Sequence, residues 1–278
     1  MTSDFFDKIG VCSFEGYDVE MERWRQWVDA GNAAELRYMM ERKRPDELLP
    51  NAHSAIVCLM NYYTPEDGMV ARYARGRDYH YIMWEQLHRL AHSLGLSEYM
   101  VCCDAMPILE RALAVKAGLG WIGRNNMLIN PELGSFTFIG VILALEKLEE
   151  LVKLVRLERL DSHCGNCRKC IEACPTHALG DHSLDCRRCL SYRTIESREL
   201  LTVDEARHGV VFGCDRCQEV CPWNKRFAHP HCHPELQTAE VNIPELTHSK
   251  IKGTALSRAP LSKIKQNYEL CISSLQNS

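Results

Sequence analysis

A chain of 278 residues, 46% hydrophobic and 25% charged with a net charge of −4, has room for one large α/β domain plus a module, and is too long for a bare ferredoxin. That charge gives no global pull toward nucleic acid, although basic side chains cluster locally at Arg168–Arg198, Lys225–Arg226 and Lys250–Lys265. No apolar run approaches the roughly 18 to 20 residues of a membrane span, and Met1–Ser13 lacks the basic-then-apolar order of a secretory signal; a cytoplasmic protein with no membrane partner is expected.

In chain order, Glu22–Arg44 reads as a helix interrupted near Gly31 and ended by Pro45. Ala55–Met60 is a short apolar run, read as a buried strand. Across Tyr81–Leu94, Trp84, Leu87, Leu90, Ala91 and Leu94 recur at helical spacing. Tyr99–Cys103 is strand-like, and Pro107 stands where a first-turn proline would open a helix Ile108–Ala117 that stops at Gly118. Met127–Asn130 and Phe136–Leu145 read as strands joined across Gly134. A charged helix Glu146–Arg159 then leads into a cysteine-rich region, beyond which the chain is irregular until a final helix near Ser262–Leu275. Strands alternating with helices, some of them paired antiparallel, predict an α/β (α+β) core. The expected division is a catalytic domain at 1–155, a ferredoxin-like module at 156–228 and a C-terminal segment at 229–278 packing on the core.

Fifteen cysteines are present, nine of them between Cys164 and Cys221. In a reducing compartment such crowding points to metal ligation rather than disulfides. Cys164, Cys167, Cys170 and Cys174-Pro175 follow the bacterial ferredoxin spacing, in which three close thiolates cap one cubane and the fourth reaches the other. A second, incomplete run is Cys214, Cys217 and Cys221-Pro222. Exchange of the last cysteines assigns Cys164, Cys167, Cys170 and Cys221 to one [4Fe–4S] cluster and Cys174, Cys214 and Cys217 to another, with Cys186 or Cys189 as the missing ligand. Structural zinc prefers two closed CxxC pairs and fits a third nearby cysteine poorly. Two such clusters are electron relays, so the chemistry must reside in the preceding residues.

There the densest stretch is Asp104–Asn125. Asp104 lies between a strand and a helix, a place that suits a reactive carboxylate and equally a helix N-cap. Gly118, Gly120 and Gly123 permit close approach of backbone to a flat ligand, but they do not follow a dinucleotide-binding strand–turn–helix order. The pattern DxxPxLERxxAxKAGLGWIGxN at Asp104–Asn125 is followed by LINPxLGSFxFxG at Leu128–Gly140, CGxCxxCxxACPT at Cys164–Thr176, RRCxSYxTIE at Arg187–Glu196 and CDxCQxVCPWN at Cys214–Asn224. With RYARGRDYH at 72–80 and GTAL at 253–256, the series resembles epoxyqueuosine reductase from about residue 35 to 260.

The resemblance implies reduction of the epoxide on the modified wobble guanine of a tRNA to a cyclopentene, the last step of queuosine synthesis. It implies cobalamin, bound without its lower axial base beside one cluster, and tRNA as the macromolecular partner. By motif match Asp104 is the proton donor and Cys189 the eighth cluster ligand. Arg42, Tyr79, His80, Asn126, Met127, Leu128 and Ser135 are candidates for the cobalamin pocket, and Arg193, Arg198, Lys225 and Arg226 for tRNA phosphates. A monomer served by a low-potential electron donor is expected. Two departures from the family pattern are read here: no C-terminal helical-repeat extension of the kind many relatives carry is expected within these 278 residues, and Leu145–Asp161 differs from the family's acidic-proline linker. The competing readings are an iron–sulfur electron-transfer protein, a related corrinoid-dependent reductase such as a reductive dehalogenase, and a zinc-stabilised tRNA-binding module.

Overall fold

A computed structural model describes residues 6–148, 162–230, 233–236 and 241–276. The chain forms β1 (Lys8–Ser13), α1 (Tyr17–Asp29), α2 (Pro45–Leu48), β2 (Ser54–Asn61), α3 (Tyr79–Ser93), β3 (Tyr99–Cys102), α4 (Glu110–Lys116), β4 (Trp121–Ile122), β5 (Leu128–Ile129) and β6 (Thr137–Ala144). Four strands make one sheet in the order β1–β2–β6–β3. Its three pairings are all antiparallel, so the core is α+β.

Side chains alternate across this sheet with the period of two that a strand imposes. Ala55, Val57, Leu59, Val141 and Leu143 join Tyr17 and Met21 of α1 and Leu113 of α4 in one core. Ile56, Cys58, Met60, Ile142 and Ala144 face the other way, onto Ile82, Met83, Leu87 and Leu90 of α3. Both faces are covered, which is why every residue of β2 is buried and the strand reads as an unbroken apolar run. Each fully buried leucine or isoleucine here contributes roughly 1.5–3 kcal/mol. A Cβ on Gly140 would lie 2.6 Å from Met83 Cε and 2.9 Å from a Leu87 methyl, so that glycine sets how closely α3 lies on β6.

Several expected boundaries move. β1 was not anticipated. Instead of ending a long helix, Pro45 is the first residue of a new one, α2, with Arg44 N–H bonded to Glu47 Oε2 at 2.9 Å. Pro107 lies outside α4, whose N-cap is Leu109. The loop ahead of α4 is held by tertiary bonds: Lys43 N–H to Pro107 O at 2.7 Å, Arg42 Nη1 to Met106 O at 3.1 Å and Leu109 N–H to Tyr17 Oη at 2.7 Å. The charged helix expected over Glu146–Arg159 falls largely outside the described residues. The C-terminal helix spans Leu261–Gln276, and a helix Pro222–Phe227 precedes it in what was expected to be irregular chain.

The cysteine-rich region is small elements stitched to both neighbours. Val70 and Ala74 from the first half, Leu190, Val211 and Phe212 from the cysteine region, and Leu256, Ile264 and Cys271 from the C-terminal part share one apolar core. Val70 and Phe212 also pair as a parallel bridge.

Candidate active site

Asp104 follows β3 in an exposed bend and holds φ at 51°, a left-handed conformation that non-glycine residues seldom adopt. It is not the N-cap of α4, because Leu109 is. Tyr79, the first residue of α3, donates its hydroxyl to Asp104 Oδ2. Burial and the adjacent Asp104 charge hold the Tyr79 phenol well above its ordinary pKa, so it is a donor throughout the accessible pH range. The Tyr79 ring is fixed by stacking on Phe138 at 4.1 Å between centroids and on His80 at 4.1 Å. His80 in turn bonds Asp78 Oδ1 through Nδ1 at 2.7 Å. Burial disfavours its imidazolium, but the Asp78 bond outweighs that and raises its pKa.

Behind Asp104, the first residue of α4 is a second acid. Glu110 is buried, and its Oε1 has no hydrogen-bond partner. Burial, then the charge of Asp104, push its pKa up to about 8. Arg111 reaches past it to donate to Asn126 O. Asn126 is itself left-handed, at φ 61°, in the tight turn joining β4 and β5, where Gly123 N–H bonds Met127 O at 2.9 Å. Leu128 is buried in β5 and belongs to the sheet core. Four buried donors around these loops lack acceptors, Arg42 Nε, Trp121 Nε1, Arg124 Nε and Asn125 Nδ2, and of these Arg124 and Asn125 line the cavity of Cys164, Cys167, Cys170 and Cys221. Arg42 Nε, next to the Met106 carbonyl that its Nη1 bonds, suits a ligand rich in carbonyl acceptors, as the amide-fringed corrin ring is.

The cysteines gather in two groups. Cys164, Cys167, Cys170 and Cys221 line one cavity, together with Arg124, Ile129, His163 and Trp223. Among the described residues no three His, Cys, Asp or Glu side chains converge on a point as a single ion requires; these four thiols stand around a space, as the caps of a cubane do. In the second group, Cys214 lies within the field of Cys189 and Cys174, and Cys217 within that of Cys214 and Cys189. Cys186 has Cys189, Asp185 and Arg111 as its charged neighbours, and its backbone N–H bonds Asn32 O at 3.0 Å.

A column of rings joins the second group to the acid. Tyr62 feels the Cys217 charge and accepts a bond from Gln218 Nε2 at 3.3 Å. Tyr62 stacks on Phe138 at 4.4 Å, Phe138 stacks on Tyr79, and Tyr79 bonds Asp104. The halves are latched beside this column. Ser135 N–H donates to Asn224 Oδ1 at 2.6 Å, and Ser135 Oγ donates to Gln218 Oε1 at 2.8 Å while Asn224 Nδ2 donates to Ser135 Oγ at 2.9 Å. The amide and hydroxyl of Ser135 are thus committed to the cysteine module. Arg72, buried, donates to Asp215 and Glu219 of the module at 3.2 and 3.0 Å.

Of the basic residues expected at tRNA, Arg198, Lys225 and Arg226 are exposed. Arg193 is drawn inward, bonding Glu205 at 2.8 Å, Glu199 at 2.9 Å and Leu200 O at 3.0 Å. Sequence reasoning gave no role to Glu110, Tyr62, Arg72, Asp215, Gln218 or Asn224. Glu110, Arg72, Asp215, Gln218 and Asn224 all fall inside motifs quoted above, which was the available signal; nothing local marked Tyr62.

Residues 42–105 match the family model described as Epoxyqueuosine reductase QueG, DUF1730. Residues 163–224 match a 4Fe-4S double cluster binding domain. The chain is 37% identical over 285 residues to an epoxyqueuosine reductase of Synechococcus sp. (strain CC9605), covering 91% of this chain and 86% of that one. The chain belongs to the epoxyqueuosine reductase family. An epoxyqueuosine reductase structure from Streptococcus thermophilus superposes with a TM-score of 0.83 at 27% identity, covering 98% of this chain and 78% of that one. The fold is shared too with an epoxyqueuosine reductase solved with an epoxyqueuosine-modified tRNA-Tyr stem loop, at a TM-score of 0.84, 24% identity and coverage of 98% and 79%. The chain is thus an oxidoreductase of this family with a module for two [4Fe–4S] clusters, and the double-cluster match contains both cysteine groups. No helix of the described residues is long and apolar enough to cross a membrane.

Proposed function

We propose that this family member reduces the epoxide of epoxyqueuosine at the tRNA wobble position to the cyclopentene of queuosine, with Asp104 as proton donor. The observation that carries the reading is the exposed carboxyl of Asp104, clamped by Tyr79 at the end of a ring column that starts beside the second cysteine group. Removing an epoxide oxygen as water consumes two electrons and two protons. The first cluster is read as Cys164, Cys167, Cys170 and Cys221 and the second as Cys174, Cys189, Cys214 and Cys217, each relaying one electron at a time. Cobalamin is read as lying over Asp104, with Arg42, Asn126, Met127 and neighbouring backbone as its contacts; when bound, its cobalt supplies reducing equivalents at the ring carbon.

The protein's own part is proton management. With Tyr79 donating to Oδ2, Oδ1 of Asp104 is the oxygen left to deliver a proton to the epoxide oxygen as the C–O bond breaks. The Tyr79 hydroxyl then stabilises the carboxylate left behind. Arg198, Lys225 and Arg226 are read as phosphate contacts, while Arg193 acts by shaping the module. Residues 1–155, 156–228 and 229–278 are read as catalytic part, cluster module and a C-terminal segment packed against them. The chain is read as a cytoplasmic monomer that takes electrons from a low-potential one-electron donor.

The test is anaerobic reconstitution with iron, sulfide and cobalamin, followed by assay on epoxyqueuosine-bearing tRNA with a strong reductant. Queuosine is the expected product; fully loaded enzyme that leaves the epoxide untouched would refute the reading. Asp104→Asn should keep both clusters and cobalamin yet lose about 10²–10⁴-fold in turnover. Undiminished turnover would remove Asp104 from the mechanism.

A further inference from the structure

The hairpin of β4 and β5 gathers three buried N–H groups that no described residue accepts: Trp121 Nε1, Arg124 Nε and Asn125 Nδ2. An unmade buried hydrogen bond is costly, and folded proteins hold few of them. Three within Trp121–Asn125 therefore call for an acceptor that the protein itself does not supply.

The first cysteine group lies against this turn. Arg124 and Asn125 line the cavity around Cys164, Cys167, Cys170 and Cys221, with His163 and Trp223. Trp121 shares an apolar cluster with Cys221, Cys164 and Trp223. Its ring meets those of His163 and Trp223 edge to face, at 4.8 Å each. Trp121 and Asn125 are only 2% and 4% exposed, so bulk water does not serve them.

The turn also fixes the Asn125 amide. Its Oδ1 accepts Met127 N–H at 3.2 Å, and a Cβ on Gly123 would fall 2.7 Å from that oxygen. With Oδ1 committed to the chain's own turn, Nδ2 is the end left for another acceptor. Arg124 is anchored similarly: Nη1 donates to Asp181 and Nη2 to Gly165 O at 2.9 Å, beside Cys164, which leaves Nε. Apart from the committed Asn125 oxygen, the side chains lining this cavity offer as acceptors four cysteine sulfurs and one imidazole. A [4Fe–4S] cluster held there adds sulfides. Sulfur bound to iron is a negatively charged acceptor, and reduction adds an electron to it, so an N–H donated to sulfur favours the reduced form.

We propose that Trp121 and Asn125 donate their side-chain N–H groups to sulfurs of the first cluster and hold its reduction potential up, with Arg124 Nε as a third donor. This rests on the reading of Cys164, Cys167, Cys170 and Cys221 as the ligands of that cluster. The donors set how readily the first cluster accepts an electron and touch no substrate.

The test is a reductive titration of the anaerobically reconstituted protein, followed by electron paramagnetic resonance. The midpoint that disappears in Cys221→Ala identifies the first cluster, and the other serves as internal reference. Trp121→Phe keeps a ring and loses the N–H; Asn125→Leu keeps much of the shape and loses the amide. Each should make the first cluster about tenfold harder to reduce, a fall of about 59 mV for a one-electron couple, while the reference midpoint stays. The double variant should fall further. Direction matters, because loosened packing that admitted water would favour the more highly charged reduced form and move the midpoint upward. A first-cluster midpoint that is unchanged or raised in both variants would overturn the proposal, and a fall in one alone strikes the other residue from it.

Electron–nuclear double resonance on protein reconstituted in deuterated buffer gives a second readout. Wild type should show exchangeable couplings to the reduced first cluster that each variant diminishes; identical couplings in all three overturn the donors. Should Asn125→Leu load no iron, Trp121→Phe still decides by both measurements. Survival of both cluster signals in Cys221→Ala would sink the ligand reading instead, and separately from the donors.

Discussion

Two cysteines three residues apart meet different surroundings. Cys189 sits within the field of Cys174, and its charge is felt at Cys214 and Cys217. Cys186 is buried, with Cys189, Asp185 and Arg111 as its charged neighbours and its backbone N–H on the Asn32 carbonyl. Cys189→Ala should therefore drop the iron of the anaerobically prepared protein from about eight to about four atoms per chain, with loss of the second cluster's signal. Cys186→Ala should keep about eight, and the reverse result would exchange the assignment. Spacing alone leaves both open, since both residues lie in the intervening loop; what separates them is that Cys174, Cys214 and Cys217 share a field with Cys189, whereas Cys186 adds Asp185 and Arg111 as neighbours. Asp104 was legible for a different reason, its place in a long motif. Glu110 was not, because an acidic residue in the first turn of a helix is ordinary, and only packing shows that this one is buried and unpartnered.

At the scale of elements, the central strands were the most legible. β2 and β6 are uniformly apolar runs because both faces of the sheet are covered, and that pattern survives without knowledge of the neighbours. Helix starts were less so. Proline is equally a signal of the end of one helix and of the first turn of the next; Pro45 took the second role. Pro107 took neither, since the bonds from Tyr17, Arg42 and Lys43 that hold its loop come from residues remote in sequence. The seat of α3 on β6 gives a test. Gly140→Val would drive methyl groups into Met83 and Leu87, an overpacking that should cost about 1–3 kcal/mol. Thermal unfolding should show a fall of several degrees with cluster content retained. An unchanged midpoint would mean that α3 has room to shift.

Across the whole molecule, the proposed reaction calls for two parts separate in sequence to meet at a defined spacing. The ring column from Cys217 to Asp104 crosses that junction, and so does the bonding of Arg72. Arg72 N–H and Nη1 reach Asp215 at 2.8 and 3.2 Å, Nη1 also reaches Glu219, and Nε bonds Thr64 O at 2.8 Å. Asp215 stands between Cys214 and Arg216, is 8% exposed and has its pKa raised by burial, opposed by Arg72. Replacing Arg72 with methionine keeps much of the packing volume but strands that carboxylate. Breaking one side of a buried pair costs about 3–5 kcal/mol, whereas neutralising both sides can be close to neutral. Arg72→Met should thus unfold at markedly lower temperature and release iron from the second cluster on mild chelation. The double variant Arg72→Met/Asp215→Asn should recover most of the stability, since the carboxylates that still lose Arg72, those of Asp67 and Glu219, reach solvent while the buried one is neutral, and the coupling from the four proteins compared should be large. If the double variant is as unstable as Arg72→Met alone, the arginine is held for its bonds to Thr64, Asp67 and Glu219, and the junction relies on those contacts rather than on the Asp215 charge.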